Sequence, residues 1–406
     1  MPHRFVKFSL VLILLYPVAT TFADLESDFR QAYRSYNQYL EADDVPLALG
    51  AAADAYRLGS KLYGRKHVTT AKLAINYSSL LNDTRDYKEA AKVLKGKLKV
   101  MEKAYGEDAH DVVSLLVELG RAHFDPGKPD RGLEYFQRAS AILANHDNPI
   151  VTGTRNFDIV TILLKRRANM QTRPFVEAAY AAFADSLEEN DVRLGLVNYH
   201  MALFATSDDR LIDSVAHLNH ALTAFKTDND QMGNLERTVR VMLVSALERS
   251  EQSELATEHC LAVGQRQEWR LPARPLYLKP PNFSKEKVEI SLDNKKEKEQ
   301  LAGRITISFS VDENGFVRSP RVASSTALGL NEAALEAISD FRYAPRFVDG
   351  SPVATSGVDF TMSYDFSQQT VKKNRFSIPP LRSSKTGVPL SGGTIDEFGG
   401  GGGGGK

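Results

Sequence analysis

The sequence predicts a multidomain chain. An all-α array of helical repeats is followed by a small α+β domain, an antiparallel sheet with one helix. Three observations carry this reading. Apolar residues recur near every 3.6 positions from about residue 25 to residue 268. Within that stretch a pattern repeats at an offset of 42 residues (105 − 63). Beyond residue 300 the period drops to two, first in "GRITISFSVDENGFV", Gly303 to Val317.

The chain has 406 residues, 42% hydrophobic and 25% charged, with 51 basic against 51 acidic side chains. That composition suits two or three ordinary globular domains. A formal net charge of zero supplies no global field for nucleic acid or an anionic membrane.

The first element is a targeting segment. "MPHRFVK" is basic, "FSLVLILLYPVA" is an apolar run, and "TFA" places small or permitted residues before Asp24. This is the order of a secretory signal peptide over residues 1–23, cleaved after Ala23. The apolar run is short of the roughly 20 residues of a spanning helix, and Pro17 interrupts it. The alternative is an anchor retained in the inner membrane. No cysteine follows the run, so it is not a lipoprotein anchor. The only cysteine, Cys260, excludes an internal disulfide and cysteine-based zinc sites. Asn76, Asn82 and Asn282 each begin an N-x-Ser/Thr triplet, which matters only in a host that glycosylates.

The helical array spans residues 24–268. Tyr63-Gly64 and Tyr105-Gly106 mark two copies, and the same shift carries Leu73 onto Leu115, Ala90 onto Gly132 and Leu94 onto Phe136. Each copy has an apolar helix, a polar turn, and a second helix with a small residue and then a large one four later. The small residue lets the partner helix approach and the large one fills the adjoining gap, so helix pairs stack into a superhelix. Weaker copies place Ser214, Leu218 and Ala221, then Ala256 and Cys260, in the same pattern. The small/large pattern also suits a plain helical bundle; the shared offset favours repeats. The pattern resembles tetratricopeptide repeats, and the 42-residue spacing with "YG" resembles the long-helix variety of kinesin light chains.

A linker over residues 269–300 carries Pro272, Pro275, Pro280 and Pro281, then a charged stretch with alternating Val288, Ile290 and Leu292, a short edge strand. Trp269, the only tryptophan, is placed to seal the last repeat. The α+β domain spans residues 301–366. Ile305, Ile307, Phe309 and Val311 share one strand face, Asn314-Gly315 suits a tight hairpin, and "FVRSPRVASS" returns as a second strand. "LNEAALEAISDF" is a helix with Asn331 as N-cap and Ala334, Leu335, Ile338 and Phe341 on its apolar stripe. "RYAPRFVDGSP" is a loop. A last strand places Val358, Phe360, Met362, Tyr364 and Phe366 on one face. The tail, residues 367–406, has no apolar pattern and ends in Gly399 to Gly405 and Lys406. Its first half is basic (Lys372, Lys373, Arg375, Arg382, Lys385), a solvated run or a contact for an anionic surface.

The α+β segment resembles the C-terminal domain of the TonB family. The resemblance rests on "GRITISFSVDENGFV" with Gly303, Asn314 and Gly315, on Ser324-Ser325, on "LNEAALEAI", on the spacing of Phe341, Tyr343 and Pro345, and on "DGSPV". The Tyr-Pro pair that often opens the family's domain is absent; the nearest stretch is Tyr277 to Pro281. The resemblance implies a periplasmic domain that lends a sheet edge to a short peptide of an outer-membrane transporter by β-strand addition. It places that edge at Ser356, Val358, Phe360, Met362, Tyr364 and Phe366. A covering of the edge by the tail or by Val288 to Leu292 is the competing reading. A full transducer of the family keeps a membrane helix bearing a Ser and a His that dock on the motor; here Ser9 lies in the apolar run without a His. The implied roles are an energy transducer or transport adaptor whose repeats recruit another protein, or a general periplasmic scaffold in envelope assembly.

No catalytic pattern is present. There is no Gly-rich phosphate loop, no G-x-S-x-G and no H-E-x-x-H. His217 and His220 lie three apart on a helix near Asp213, a pair that two ligands alone do not make a metal site. His259 and Cys260 are adjacent and diverge on a helix, so Cys260 reads as a packing residue. The reading is a non-enzymatic protein with no cofactor, no metal and no nucleic-acid partner.

Overall fold

The computed structural model describes residues 18–124, 129–226, 233–266, 268–269, 271, 273–279, 302–326 and 330–365. The export segment through Pro17, the expected strand at Val288 to Leu292, Phe366 and the tail lie outside the described residues. The chain divides into two compact units, Met1–Ala178 and Ala179–Lys406.

The first unit consists of helices α1 (Val18–Glu41), α2 (Val45–Leu62), α3 (Val68–Asp83), α4 (Tyr87–Leu94), α5 (Lys97–Tyr105), α6 (Val113–His123), α7 (Asp130–Leu143) and α8 (Pro149–Lys165), and the start of α9 (Arg173–Phe183). Side-chain caps fix several starts. Asp44 accepts from Leu47 N at 3.1 Å, Asp86 from Glu89 N at 3.2 Å, and Asn148 from Ile150 N at 3.0 Å. Sequential helices pack as antiparallel neighbours, α1 on α2, α3 on α4 and α6 on α7.

The 42-residue correspondence is physical. Leu73 and Leu115, Ala90 and Gly132, and Leu94 and Phe136 are all buried. Tyr63 and Tyr105 are each 39% exposed, and the glycine after each adopts a left-handed φ, 89° at Gly64 and 102° at Gly106. The position of Gly132 must be small, because a Cβ there would meet the backbone of Phe124. One departure is that the expected second helix of the first copy breaks at Gly96, whose φ of 75° separates α4 from α5.

A second marker of the repeat escaped sequence reading. Among the described residues, the turns that follow α1, α3, α8 and the helices Val192–Ser207 and Asn234–Arg249 each carry one left-handed non-glycine residue, at Asp43, Arg85, Arg167, Asp209 and Glu251. Arg85 follows Asp43 by 42 residues (85 − 43), Asp209 follows Arg167 by 42 (209 − 167) and Glu251 follows Asp209 by 42 (251 − 209). From Arg85 to Arg167 the step is 82 residues (167 − 85), two short of a double period, so the 42-residue spacing holds within the first two and the last three turns rather than across the whole array.

The second unit continues with α10 (Val192–Ser207), α11 (Leu211–Phe225), α12 (Asn234–Arg249) and α13 (Ser253–Arg266). Ser214, Leu218, Ala221, Ala256 and Cys260 are all buried, as the repeat pattern requires. Strands β1 (Ala302–Val311) and β2 (Val317–Ser325), helix α14 (Asn331–Ser339), and strands β3 (Arg346–Val348), β4 (Ser351–Val353) and β5 (Thr355–Asp365) complete it. The main sheet is antiparallel with order β2–β1–β5; β3 and β4 form a separate ribbon. Helix α14 covers one face. Ile305, Ile307, Phe309, Val311, Ala334, Ile338, Phe341, Tyr343 and Val358 make the core beneath it.

Several expectations change. Asn331 is not the N-cap: Leu330 holds that position and makes no side-chain cap. The stretch expected as a loop forms the β3–β4 ribbon around Asp349 and Gly350, both at positive φ, the geometry that suits a two-residue turn. At the first hairpin only Gly315 is left-handed, with φ of 85°. Gly315 N bonds to Asp312 O at 3.0 Å, giving a three-residue loop closed by glycine rather than a two-residue one. The Asp312 carboxylate fixes that loop, accepting from Asn314 N at 3.0 Å and Phe316 N at 2.8 Å. Part of the expected linker belongs to the α+β module: Ala273 is in its core, and Tyr277 bridges Arg342. Trp269 packs against that core too.

Candidate functional site

The candidate site is built on β5. Strand β1 occupies the centre of the sheet, and among the described residues β5 pairs only with β1. One row of its backbone N–H and C=O groups is thereby turned away from the sheet. The register sets Met362 opposite Ile305, Phe360 opposite Ile307 and Val358 opposite Phe309. Val358 and Met362 are buried, and half-buried Phe360 meets Phe341 edge-on at 5.3 Å between ring centres. Asp359, Thr361 and Ser363 face solvent, and the Thr361 hydroxyl lies 3.0 Å from that of Thr306. Ser356 is exposed at a bulge, where Gly357 adopts a φ of 72° and the register with β1 shifts. The backbone of Tyr364 pairs with Gly303.

The other edge, β2, is different in kind. Pro320 removes a donor, Ser319 adopts a φ of 51°, and the pairing with β1 shifts register at two places. Arg318 and Arg321 add charge. These features blunt an edge against a further strand. From Val358 to Ser363, β5 carries one charged side chain, Asp359, and no proline.

The residues that carry the family signature hold the sheet rather than the edge. Gly303 lies where a Cβ would sit 2.5 Å from the Thr326 hydroxyl oxygen. Ser324 and Ser325 pair with Thr306 and Ile305 at the end of β2. Phe341 and Tyr343 are buried in the module's core, Pro345 is buried beside α13, and a Cβ on Gly315 would collide with Tyr343 O. Asn314 offers its carbonyl to Arg342 Nη2 at 3.0 Å.

Sequence reasoning missed Arg342. It lies between Phe341 and Tyr343 and is 1% exposed. Its Nη1 pairs with the Glu248 carboxylate of α12, and its Nη2 donates to the Thr257 hydroxyl of α13 at 2.7 Å. Its guanidinium lies 3.8 Å from the centre of the Phe316 ring. Around it the module abuts α13: a Cβ on Gly264 would meet Pro345 O and, at 3.1 Å, the Phe347 ring. Cys260 is buried here, and burial pushes its thiol up to about 12.

His217 and His259 each meet partners other than a shared ion. His217 Nδ1 lies 2.8 Å from Asn198 Oδ1, and its ring meets Tyr180 edge-on. Asp213 pairs instead with Arg210 at 2.7 Å. His259 Nδ1 faces Arg240 at 3.4 Å. Among the described residues no three His, Cys, Asp or Glu side chains converge in a way that would hold a metal. Asn82 is buried in a network with Glu118, which accepts from its amide at 2.7 Å, so its triplet is not a surface acceptor.

The family model of the Gram-negative bacterial TonB protein C-terminal matches residues 294–366. Those residues are a TonB C-terminal domain, preceded by a helical array. That family is a non-enzymatic, envelope-associated domain of transport energy transduction that generally interacts with outer-membrane transporters. No curated protein matches the chain. Among solved structures, BtubC (BKLC) from P. vanneervenii is 14% identical with a TM-score of 0.38, covering 58% of this chain and 87% of its own. The assembly chaperone of RpL4, Acl4 (residues 1–338), is 13% identical with a TM-score of 0.39, covering 60% and 92%. Neither likeness carries an argument at these values. No helix among the described residues is long and apolar enough to cross a membrane.

Proposed function

We propose that the protein is a periplasmic TonB-family adaptor that acts by protein–protein interaction. Its β5 edge, from Ser356 through Val358, Phe360 and Met362 to Tyr364, together with the Phe366 that follows in sequence, pairs with an extended peptide of an outer-membrane transporter, and its repeats recruit another protein. The observation that carries this reading is the asymmetry of the sheet: β2 is blunted and β5 is long and nearly uncharged. The Val358, Phe360 and Met362 side chains pack on the core, so affinity comes from main-chain hydrogen bonds and selectivity from Asp359, Thr361 and Ser363. The reading predicts that a fluorescent peptide from the transporter segment binds, and that the same peptide with alternate amides N-methylated does not. Equal binding of the two contradicts it.

Export by cleavage after Ala23 belongs to the same proposal. It predicts a mature protein from envelope fractions whose intact mass begins at Asp24. A second reading, a general envelope scaffold, is favoured by the close docking of the module on α13. In that case saturating β5 with peptide leaves capture of the main partner unchanged. In the transport reading it abolishes capture of the transporter.

A further inference from the structure

We infer that Arg342 is a latch that clamps the TonB C-terminal domain onto the last helical pair, so that α12, α13 and the sheet act as one rigid body and the position of the β5 edge is set by that pair. The inference rests on the docked geometry and stands whether or not β5 binds a peptide.

Three features converge on one seam. The first is the Arg342 guanidinium, which is buried and divides its donors between the two sides. Glu248, Thr257 and the Ser253 carbonyl lie on the helices, and the Asn314 carbonyl lies on the hairpin loop. A planar group with a fixed fork of donors suits such a junction, where a flexible ammonium would hold one partner at a time. The second is close approach. Gly264 on α13 leaves space for Pro345 and Phe347, and Gly315 leaves space for Tyr343 beside the Cβ of Cys260. The third is the chain before β1, which is tied to the same place: Leu276 N donates to Arg342 O at 2.7 Å, and Arg342 N donates to Tyr277 O at 3.2 Å. Repeat arrays expose an apolar face at each end unless something covers it. Here the sheet domain provides that cover, and the arginine makes the cover conditional on an intact charge pair. Removing either partner leaves a buried charge unpaired and favours separation of the seam.

Cys260 is the natural reporter, because it is the only cysteine of the chain and is fully buried at the seam. The test uses the full chain and a maleimide, with amide hydrogen exchange of the α13 peptide in parallel. The latch predicts that Arg342→Ala and Glu248→Gln each speed labelling of Cys260 by about two to three orders of magnitude, as expected for a buried charge left unpaired. Amides of α13 keep their protection. Labelling unchanged in both variants overturns the inference. So does labelling that rises in step with α13 exchange, since the pair would then hold the helical hairpin itself and not its docking.

Discussion

Arg342 of the C-terminal domain and Glu248 of α12, 94 residues apart in sequence, form a buried ion pair, the arginine 1% and the glutamate side chain 9% exposed. The pair joins the sheet domain to the last repeat through a desolvated contact. Two consequences follow for stability. Breaking one side, by Arg342→Ala or Glu248→Gln, should cost about 3–5 kcal/mol, because the surviving charge stays buried. Replacing both, by Arg342→Met with Glu248→Leu, should cost far less. Urea unfolding followed by the fluorescence of Trp269, which packs on the domain's core, reads both effects.

Packing of the repeats is tested by two glycines of opposite kind. Gly132→Ala pushes a Cβ into the Phe124 backbone and should destabilise by about 1–3 kcal/mol. Gly50→Ala in α2 meets nothing within 4 Å and should stabilise by about 0.5–1 kcal/mol, from helix propensity alone. Thermal unfolding followed by helical circular dichroism should therefore shift in opposite directions.

Acid should weaken the fold through two histidines. Burial pushes His200 down to about 4, and burial with the nearby Arg240 pushes His259 down to about 4, both from 6.5. Between those values the unfolded chain binds protons that the folded chain refuses, so stability falls as pH drops from 6.5 toward 4 and is fully present above 6.5. The urea midpoint should be flat from about pH 8 to pH 7 and should fall by about pH 5. His259→Gln should make that fall shallower, whereas an unchanged slope contradicts the assignment.

Much of this was legible along the chain, for a local reason. The alternation of Ile305, Ile307, Phe309 and Val311 fixes a half-buried strand, and the spacing of Leu73, Ala90 and Leu94 fixes a repeat, because each pattern expresses which side of one element meets a core. What was missed depends on partners far away. Arg342 opens a stretch that reads as a loop, and only Glu248, Thr257 and the Phe316 ring make its burial tolerable. Ala273 and Tyr277 read as linker among prolines, since a single bridge to Arg342 leaves no periodic trace. The last strand was legible by its alternation, whereas its place at the edge followed only from the resemblance. Its contrast with β2 rests on the two register shifts and on Ser319, which only the paired backbone reveals.

The most direct test of the central claim is to titrate the isotope-labelled protein with an extended peptide from an outer-membrane transporter and follow its assigned amide resonances. Pairing at the edge predicts shifts that alternate along Thr355–Asp365, where every second N–H faces the incoming strand, with β2 undisturbed. Shifts confined to β2 or to the helices, or none at saturating peptide, would contradict it.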